Sequence, residues 1–206
     1  MRLLVNIRGC NGSGKSTIPM SMMDDPEMFV VYKHIPGRKK PLGIATVFPT
    51  YGWIALGTYF NKTGGMDCLP NNKVIQKTIW YVLNKYPEYD IIMEGVIAST
   101  ISSTYIQLFE EIQNQCKNVK VVIVSFKTPV EVCLERIYER NGGKPIKEDA
   151  VRAKWGMVQR ASVKFKNAGF RVIRVDNSKV SKESMTKKFF AVMKEEKEDE
   201  NGFRKK

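Results

Sequence analysis

Apolar positions recur along this chain with two spacings. Short continuous runs occur at Leu3-Leu4-Val5-Asn6-Ile7, Phe29 to Lys33, Asp90 to Gly95, Val119 to Phe126 and Phe170 to Val175. Runs of this length read as strands, those at 3–7 and 90–95 as buried ones, and VKVVIVSF at 119–126 is the strongest. Between them the spacing turns helical. Val74, Ile75, Ile79, Val82 and Leu83 predict a helix over 70–86. Further helices are expected over 15–23, 101–116, 128–140, 147–167 and 181–197. Pro129 is harmless at an early helical position, and Ala168-Gly169 ends the long helix. Pro19 falls early in the first helix, where its missing N–H predicts a slight distortion. Strands alternating with helices imply a three-layer αβα sandwich around a mainly parallel, five-stranded sheet. One domain over 1–193 is expected, followed by a mobile, mixed-charge tail over 194–206.

The interval 34–69 breaks the alternation. It carries Pro36, Gly37, Pro41, Gly43, Pro49, Gly52, Gly57, Gly64 and Gly65, with Phe48, Tyr51, Trp53, Tyr59 and Phe60 among them. A connection this long is usually functional, and its aromatic content argues against disorder. An ordered, substrate-facing insertion with short helical or strand pieces is the reading.

Composition narrows the class. The four cysteines show no zinc spacing and His34 is the only histidine, against a zinc site, a disulfide framework or a histidine triad. No apolar run approaches the roughly 20 residues of a membrane span. The N-terminus runs from one Arg into a strand, unlike a signal peptide, so a cytoplasmic location is expected. Net charge is +13. The tail from Lys194 to Lys206 has five basic and five acidic residues, so the excess lies in the folded body. Nucleotide phosphates account for part of it, and the remainder suits a polyanion such as DNA or RNA.

The first strand leads into Gly9-Cys10-Asn11-Gly12-Ser13-Gly14-Lys15-Ser16-Thr17, which fits G-x-x-x-x-G-K-[ST]. Strand, glycine loop and helix form the context in which this pattern binds phosphate. The loop amides of Asn11 to Thr17 would cradle a nucleotide, Lys15 would reach its β- and γ-phosphates, and Ser16 would ligate Mg²⁺. The strand Ile91-Ile92-Met93 delivers Glu94 to the sheet's carboxyl edge. There Glu94 can hold a Mg²⁺-bound water or take a proton from an acceptor hydroxyl. Arg136 and Arg140 lie one turn apart on a helix before the break Asn141-Gly142-Gly143-Lys144-Pro145. Two guanidinium groups beside a hinge suit a lid over about 136–152, with Lys144 and Arg152 as further members. The acceptor site is sought in the insertion: Tyr51, Trp53 and Tyr59 as stacking platforms, and Asn61 and Asp67 to read an edge. Lys33, Arg38, Lys39 and Lys40 would follow a phosphate backbone.

The loop at 9–17, Ile-Ile-Met-Glu-Gly at 91–95, Pro-Val-Glu-Val-Cys-Leu-Glu-Arg at 129–136 and Val-Asp-Asn-Ser at 175–178 together resemble the nucleoside-monophosphate-kinase-like P-loop kinases. The resemblance implies the P-loop NTPase fold with a small lid, ATP and Mg²⁺ as cofactors, and kinase activity. More narrowly, the chain is similar to phage kinases that phosphorylate 5-hydroxymethyluracil in DNA, a step in thymidine hypermodification. That would make DNA containing modified thymidine the partner. Glu94-Gly95-Val96-Ile97 stands where thymidylate-directed relatives usually carry an Asp-Arg-Tyr/His-type signature, which counts against free thymidylate. Two alternatives stay open: a kinase of a free nucleotide or other small metabolite, and a non-enzymatic, nucleotide-gated DNA-binding module.

Overall fold

The structure, a computed structural model, describes residues 1–60 and 64–199. Its centre is one seven-stranded sheet in the order β2-β3-β4-β5-β1-β6-β7. The strands are β1 (Arg2–Arg8), β2 (Phe29–Lys33), β3 (Leu42–Phe48), β4 (Trp53–Leu56), β5 (Asp90–Glu94), β6 (Val119–Phe126) and β7 (Arg171–Val175). From β4 to β7 all neighbours are parallel, while β3 runs antiparallel to both β2 and β4.

The expected five strands therefore become seven. The two additional strands, β3 and β4, come from the insertion over 34–69. Their residues LGIATVF and WIAL are mostly buried, so this part of the insertion belongs to the sheet and its core. The turn-forming residues around them mark a β2-β3-β4 meander.

The continuous apolar runs have a simple cause. Alternate residues of a strand face opposite sides, and in β1, β5 and β6 both sides are covered, whereas the edge strands β2 and β7 stay largely half-buried or exposed. Leu4, Ile91, Met93, Val121 and Ile123 enter a core beneath α2 (Asn72–Lys85), α4 (Ser103–Gln115) and α6 (Glu148–Asn167). Val5, Ile7, Ile92, Val122 and Val124 enter the other, beneath α1 (Thr17–Met20) and α7 (Lys182–Glu198). The two remaining helices are α3 (Val96–Thr100), which begins directly after Glu94-Gly95, and α5 (Val130–Arg140).

Two boundaries differ from expectation. The first helix, expected over 15–23, contracts to the four residues of α1, with Pro19 inside it. Proline offers no N–H to an upstream carbonyl, so the turns around it close by short-range bonds such as Ile18 N–H to Lys15 O at 3.3 Å. At the other end, α7 stays packed beyond residue 193. Glu196 is buried and pairs with Lys120 at 2.9 Å and Arg171 at 2.7 Å, and Lys197 reaches Asp90 at 2.9 Å. Residues 194–198 of the expected tail thus belong to α7, and 200–206 lie outside the described residues. No helix among the described residues is long and apolar enough to cross a membrane.

Candidate active site

Strand register places the chemistry at one edge of the sheet. Ile7 lies opposite Glu94, so the glycine loop leaving β1 and the carboxylate ending β5 emerge side by side. Ser16 Oγ donates to Glu94 Oε1 at 3.1 Å. Lys15 is buried beneath the loop, with Nζ donating to Cys10 O at 2.9 Å.

The loop has the shape of an anion cradle. Gly12 and Gly14 have φ of 75° and 90°, the left-handed region that favours glycine. A side chain on Gly12 would also collide with the Cys133 carbonyl of α5. The backbone N–H groups of Asn11, Gly12, Gly14, Lys15 and Ser16 have no protein acceptor among the described residues. The Ser13 hydroxyl is buried and equally unpartnered, while the buried Asn11 Oδ1, an acceptor, also lacks a partner. Clustered unsatisfied donors around a buried ammonium fit the phosphates of a nucleotide. The Ser16 hydroxyl and Glu94 carboxylate supply the hard oxygen donors that Mg²⁺ prefers when it also takes phosphate oxygens and water.

Electrostatics follow from burial. Desolvation pushes the Glu94 carboxyl above its usual range, against the pull of Lys15 and the hydrogen bond from Ser16, while Asp67 adds to the rise. Desolvation likewise pushes Lys15 below the usual lysine value, opposed chiefly by Glu94. Each group thus offsets part of the desolvation that disfavours the other's charged form.

A second network holds the loop from the side. Thr128 Oγ1 donates to Asn177 Oδ1 at 2.6 Å, and Asn177 Nδ2 donates to Ser13 O at 2.9 Å. Arg136 joins it through Nη1 to Asn177 Oδ1 at 3.2 Å and Nη2 to Asn177 O at 3.0 Å. Arg136 therefore stands at the loop's flank. Arg140 lies one turn farther along α5, exposed at its end. Lys144 is exposed, and Arg152 is occupied by Glu131 at 2.9 Å and Glu148 at 3.5 Å.

The acceptor candidates divide between the two edges of the sheet. Tyr59 follows β4 past the carboxyl edge and is buried against the Glu94 carboxylate. Asp67 is also close, but both of its oxygens accept backbone amides: Val96 N–H at 2.7 Å and Ile97 N–H at 3.3 Å. It therefore caps α3. Lys33 and Arg38 lie at or just beyond the carboxyl end of the meander. Trp53 and Tyr51 are at the opposite edge, since Trp53 pairs with Asp90 at the start of β5. Four strand residues, about 13 Å, separate that level from Glu94. Trp53 is buried against Phe189 and Phe190 of α7, and Tyr51 stacks on Phe190 and donates to Asp24 at 3.0 Å. Neither joins the site. Asn61 lies outside the described residues.

One structural participant carries no recognisable motif. Arg8, the last residue of β1, is completely buried. It donates to Ala98 O at 2.9 Å, Ser99 O at 2.7 Å, Ile101 O at 2.6 Å and Asn6 Oδ1 at 2.7 Å, and it lies 4.5 Å from the Phe165 ring centroid. Asp67 holds the first amides of α3 and Arg8 its last carbonyls. The short helix after Glu94 is thereby clamped at both ends.

A glycine loop after the first parallel strand, with a buried lysine and a facing carboxylate at the carboxyl edge, defines a P-loop nucleotide-kinase-like fold. The YorR protein of Bacillus subtilis, solved in complex with phosphorylated GDP, shares this fold with a TM-score of 0.54 and 14% identity, over 94% of this chain and 96% of that one. The family relationship is closer. The chain belongs to the 5-hmdU DNA kinase family, whose model matches residues 3–186. It is 44% identical over 196 residues to a 5-hmdU DNA kinase of Bacillus phage SP10, covering 93% of this chain and 30% of that protein. It is 35% identical to the 5-hmdU DNA kinase of Pseudomonas phage M6, over 76% of this chain and 81% of the relative. A match to 5-hmdU DNA kinase 1 of Salmonella phage ViI is 32% identical, over 79% and 70%. The chain therefore spans less than a third of the SP10 protein but most of the other two.

Proposed function

We propose that this protein is an ATP- and Mg²⁺-dependent phosphotransferase acting on the hydroxymethyl group of 5-hydroxymethyluracil in DNA. The observation that carries the reading is the meeting of Lys15, Ser16 and Glu94 at one sheet edge, in a chain whose relatives are named for this activity. The loop amides and Lys15 hold the donor phosphates and neutralise their charge. Ser16 and Glu94 are the residues that would hold Mg²⁺, which offsets phosphate charge when bound. Glu94 is also the base. It accepts the proton of the acceptor hydroxyl as that oxygen bonds to the γ-phosphorus and the bond to the ADP oxygen breaks. The products are the 5-phosphoryloxymethyl base, which keeps the acceptor oxygen as its ester bridge, ADP and one proton. Arg136, steadied by Asn177, faces the developing charge, and Arg140 joins it when the 141–147 connection moves. Tyr59 and Asp67 border the acceptor beside Glu94. The reaction belongs in the host cytoplasm, where phage DNA and ATP meet.

The test is incubation of the protein with labelled ATP and, separately, 5-hydroxymethyluracil-containing DNA, ordinary DNA and free nucleotides. Label is expected in the modified DNA alone. Label confined to free nucleotides would overturn the acceptor assignment.

A further inference from the structure

A groove of about 560 Å³ lies between the outer meander and α2, away from the catalytic edge's centre. Lys33, His34, Lys73, Lys77 and Tyr81 line it, with Ile44 at its floor. Lys73 and Lys77 sit one helical turn apart on α2, about 6 Å along its axis. Lys33 projects from the end of β2, its ammonium 3.6 Å from the centre of the Tyr81 ring. Among the described residues none of these three lysines pairs with a carboxylate. The surrounding sequence sharpens the contrast. From Met28 to Pro87 the chain carries eight Lys or Arg residues and one acid, Asp67. That acid is committed to the α3 amides and lies outside the groove.

Position relates the groove to the reaction. Lys33 pairs with Leu42, while Ala45 lies opposite Leu56, and Ala55 opposite Ile92. Following that register across the sheet, Lys33 lies beyond the level of Glu94, on the same edge. Three strand spacings separate β2 from β5, about 14 Å, or about four nucleotide steps along one strand of DNA.

We infer that this groove holds the phosphodiester backbone of the nucleotides flanking the acceptor base, with Lys73 and Lys77 as its principal contacts beside Lys33. The inference rests on the DNA-acceptor reading and deepens it: the protein requires several nucleotides of flank. Backbone phosphates are bound by unpaired ammonium groups without base reading, so this contact supplies affinity and register rather than sequence preference.

The test pairs the Lys73→Ala/Lys77→Ala variant with Lys73→Arg/Lys77→Arg and with Lys164→Ala/Lys166→Ala, a control on exposed positions near the far end of α6. Two acceptors are used, one with two and one with ten nucleotides on each side of the modified base. The alanine variant should raise KM about tenfold for the long acceptor, leave kcat and the short acceptor unchanged, and reduce the salt slope of long-oligonucleotide binding, read by anisotropy, by about 1.4–1.8. The arginine variant should behave as wild type. Loss equal to that of the control pair, or equal on both acceptors, would overturn the groove assignment. Wild-type protein that phosphorylates neither oligonucleotide overturns the catalytic reading instead, and the anisotropy slope then still decides for or against the groove.

Discussion

The Ser16 hydroxyl donates to the Glu94 carboxylate across 3.1 Å, joining the phosphate loop to the end of β5 through two residues 78 positions apart. Parallel pairing of β1 with β5 makes this possible, because it brings Ile7 opposite Glu94. The loop and the carboxylate are fixed to one sheet rather than to mobile segments. Burial then sets their electrostatics.

Lys15→Met should abolish most phosphoryl transfer without unfolding the protein. Removing a positioned charge from a dry transition-state site lowers kcat about 10²- to 10³-fold. Stability should move the other way. A lysine whose folded pKa is depressed opposes folding at every pH below its unfolded value, and fully once the pH is below the folded one, because the folded state holds the proton less tightly. Near neutrality the apolar isostere should therefore match or exceed the wild-type Tm. Thermal unfolding beside a single-turnover assay checks both halves, and a collapsed Tm would show that Lys15 is structural.

Glu94 should govern the acidic limb of the pH–rate profile. Its carboxyl is pushed above the usual range by burial, so the ionised base forms only at correspondingly higher pH. The rate should climb with pH through that raised value and level off above it. The sign for stability is opposite: a raised carboxyl favours the fold below its folded pKa and withdraws that support as it ionises. Glu94→Gln should lower kcat about 10²- to 10⁴-fold and remove the limb. A retained limb in this variant would assign it to another group.

Much of this site was legible in the sequence because phosphate loops are local. Nine consecutive residues carry the loop, and a three-residue apolar run delivers Glu94. The insertion was harder. Its glycines and prolines conceal β3 and β4, and aromatic residues in an apparent loop read as a cleft. Only strand register separates Tyr59, beside Glu94, from Trp53, about 13 Å away and buried under α7. Arg8 was silent for a related reason. A charged residue at a strand end usually reaches solvent, and the carbonyls that hold this one lie 90 to 93 positions away.

Trp53→Ala should therefore destabilise the fold and spare the acceptor KM. The ring packs on Phe189 and Phe190, and emptying such a site costs about 3–5 kcal/mol. Tyr51→Ala should leave KM equally unchanged. Urea unfolding and acceptor titration of the two variants check this, and a KM raised by either would return the aromatic pair to the site.

Arg136→Ala should impair turnover more than Arg140→Ala. Arg136 is half-buried and fixed by two bonds to Asn177, beside the loop it flanks, whereas Arg140 is exposed at the end of α5. A preorganised donor acts on the transition state without first losing conformational freedom. About 10²-fold in kcat is expected for Arg136, and under 10-fold for Arg140. Asn177→Ala should reproduce part of the Arg136 effect, because it removes the side-chain acceptor of Arg136 Nη1 and one of the two donors to the Ser13 carbonyl, while the bond from Nη2 to the residue 177 backbone carbonyl stays. Single-turnover rates at saturating ATP decide the order. If Arg140→Ala proves the more damaging, then α5 swings over the loop during the reaction, and its terminal arginine is the one that reaches the phosphates.

Arg8→Leu should be the most destabilising single change near the site. It removes the donor shared by the carbonyls of Ala98, Ser99 and Ile101, and it leaves the first two buried without that partner and the third part-buried. Each such group costs about 1–3 kcal/mol, so a total loss of about 4 kcal/mol is a moderate expectation. The effect should spread to catalysis at temperatures where the variant is still folded. α3 follows Glu94 with only Gly95 between them, and Gly65 packs so closely on Glu94 that it has no room for a side chain. Loosening the carbonyl end of α3 leaves Asp67 as its one remaining clamp. Hydrogen exchange at residues 96–101, measured well below the variant's Tm, should accelerate while exchange in β6 stays slow. Uniformly accelerated exchange across the sheet would mean that Arg8 supports the whole fold and has no particular relation to the segment behind Glu94.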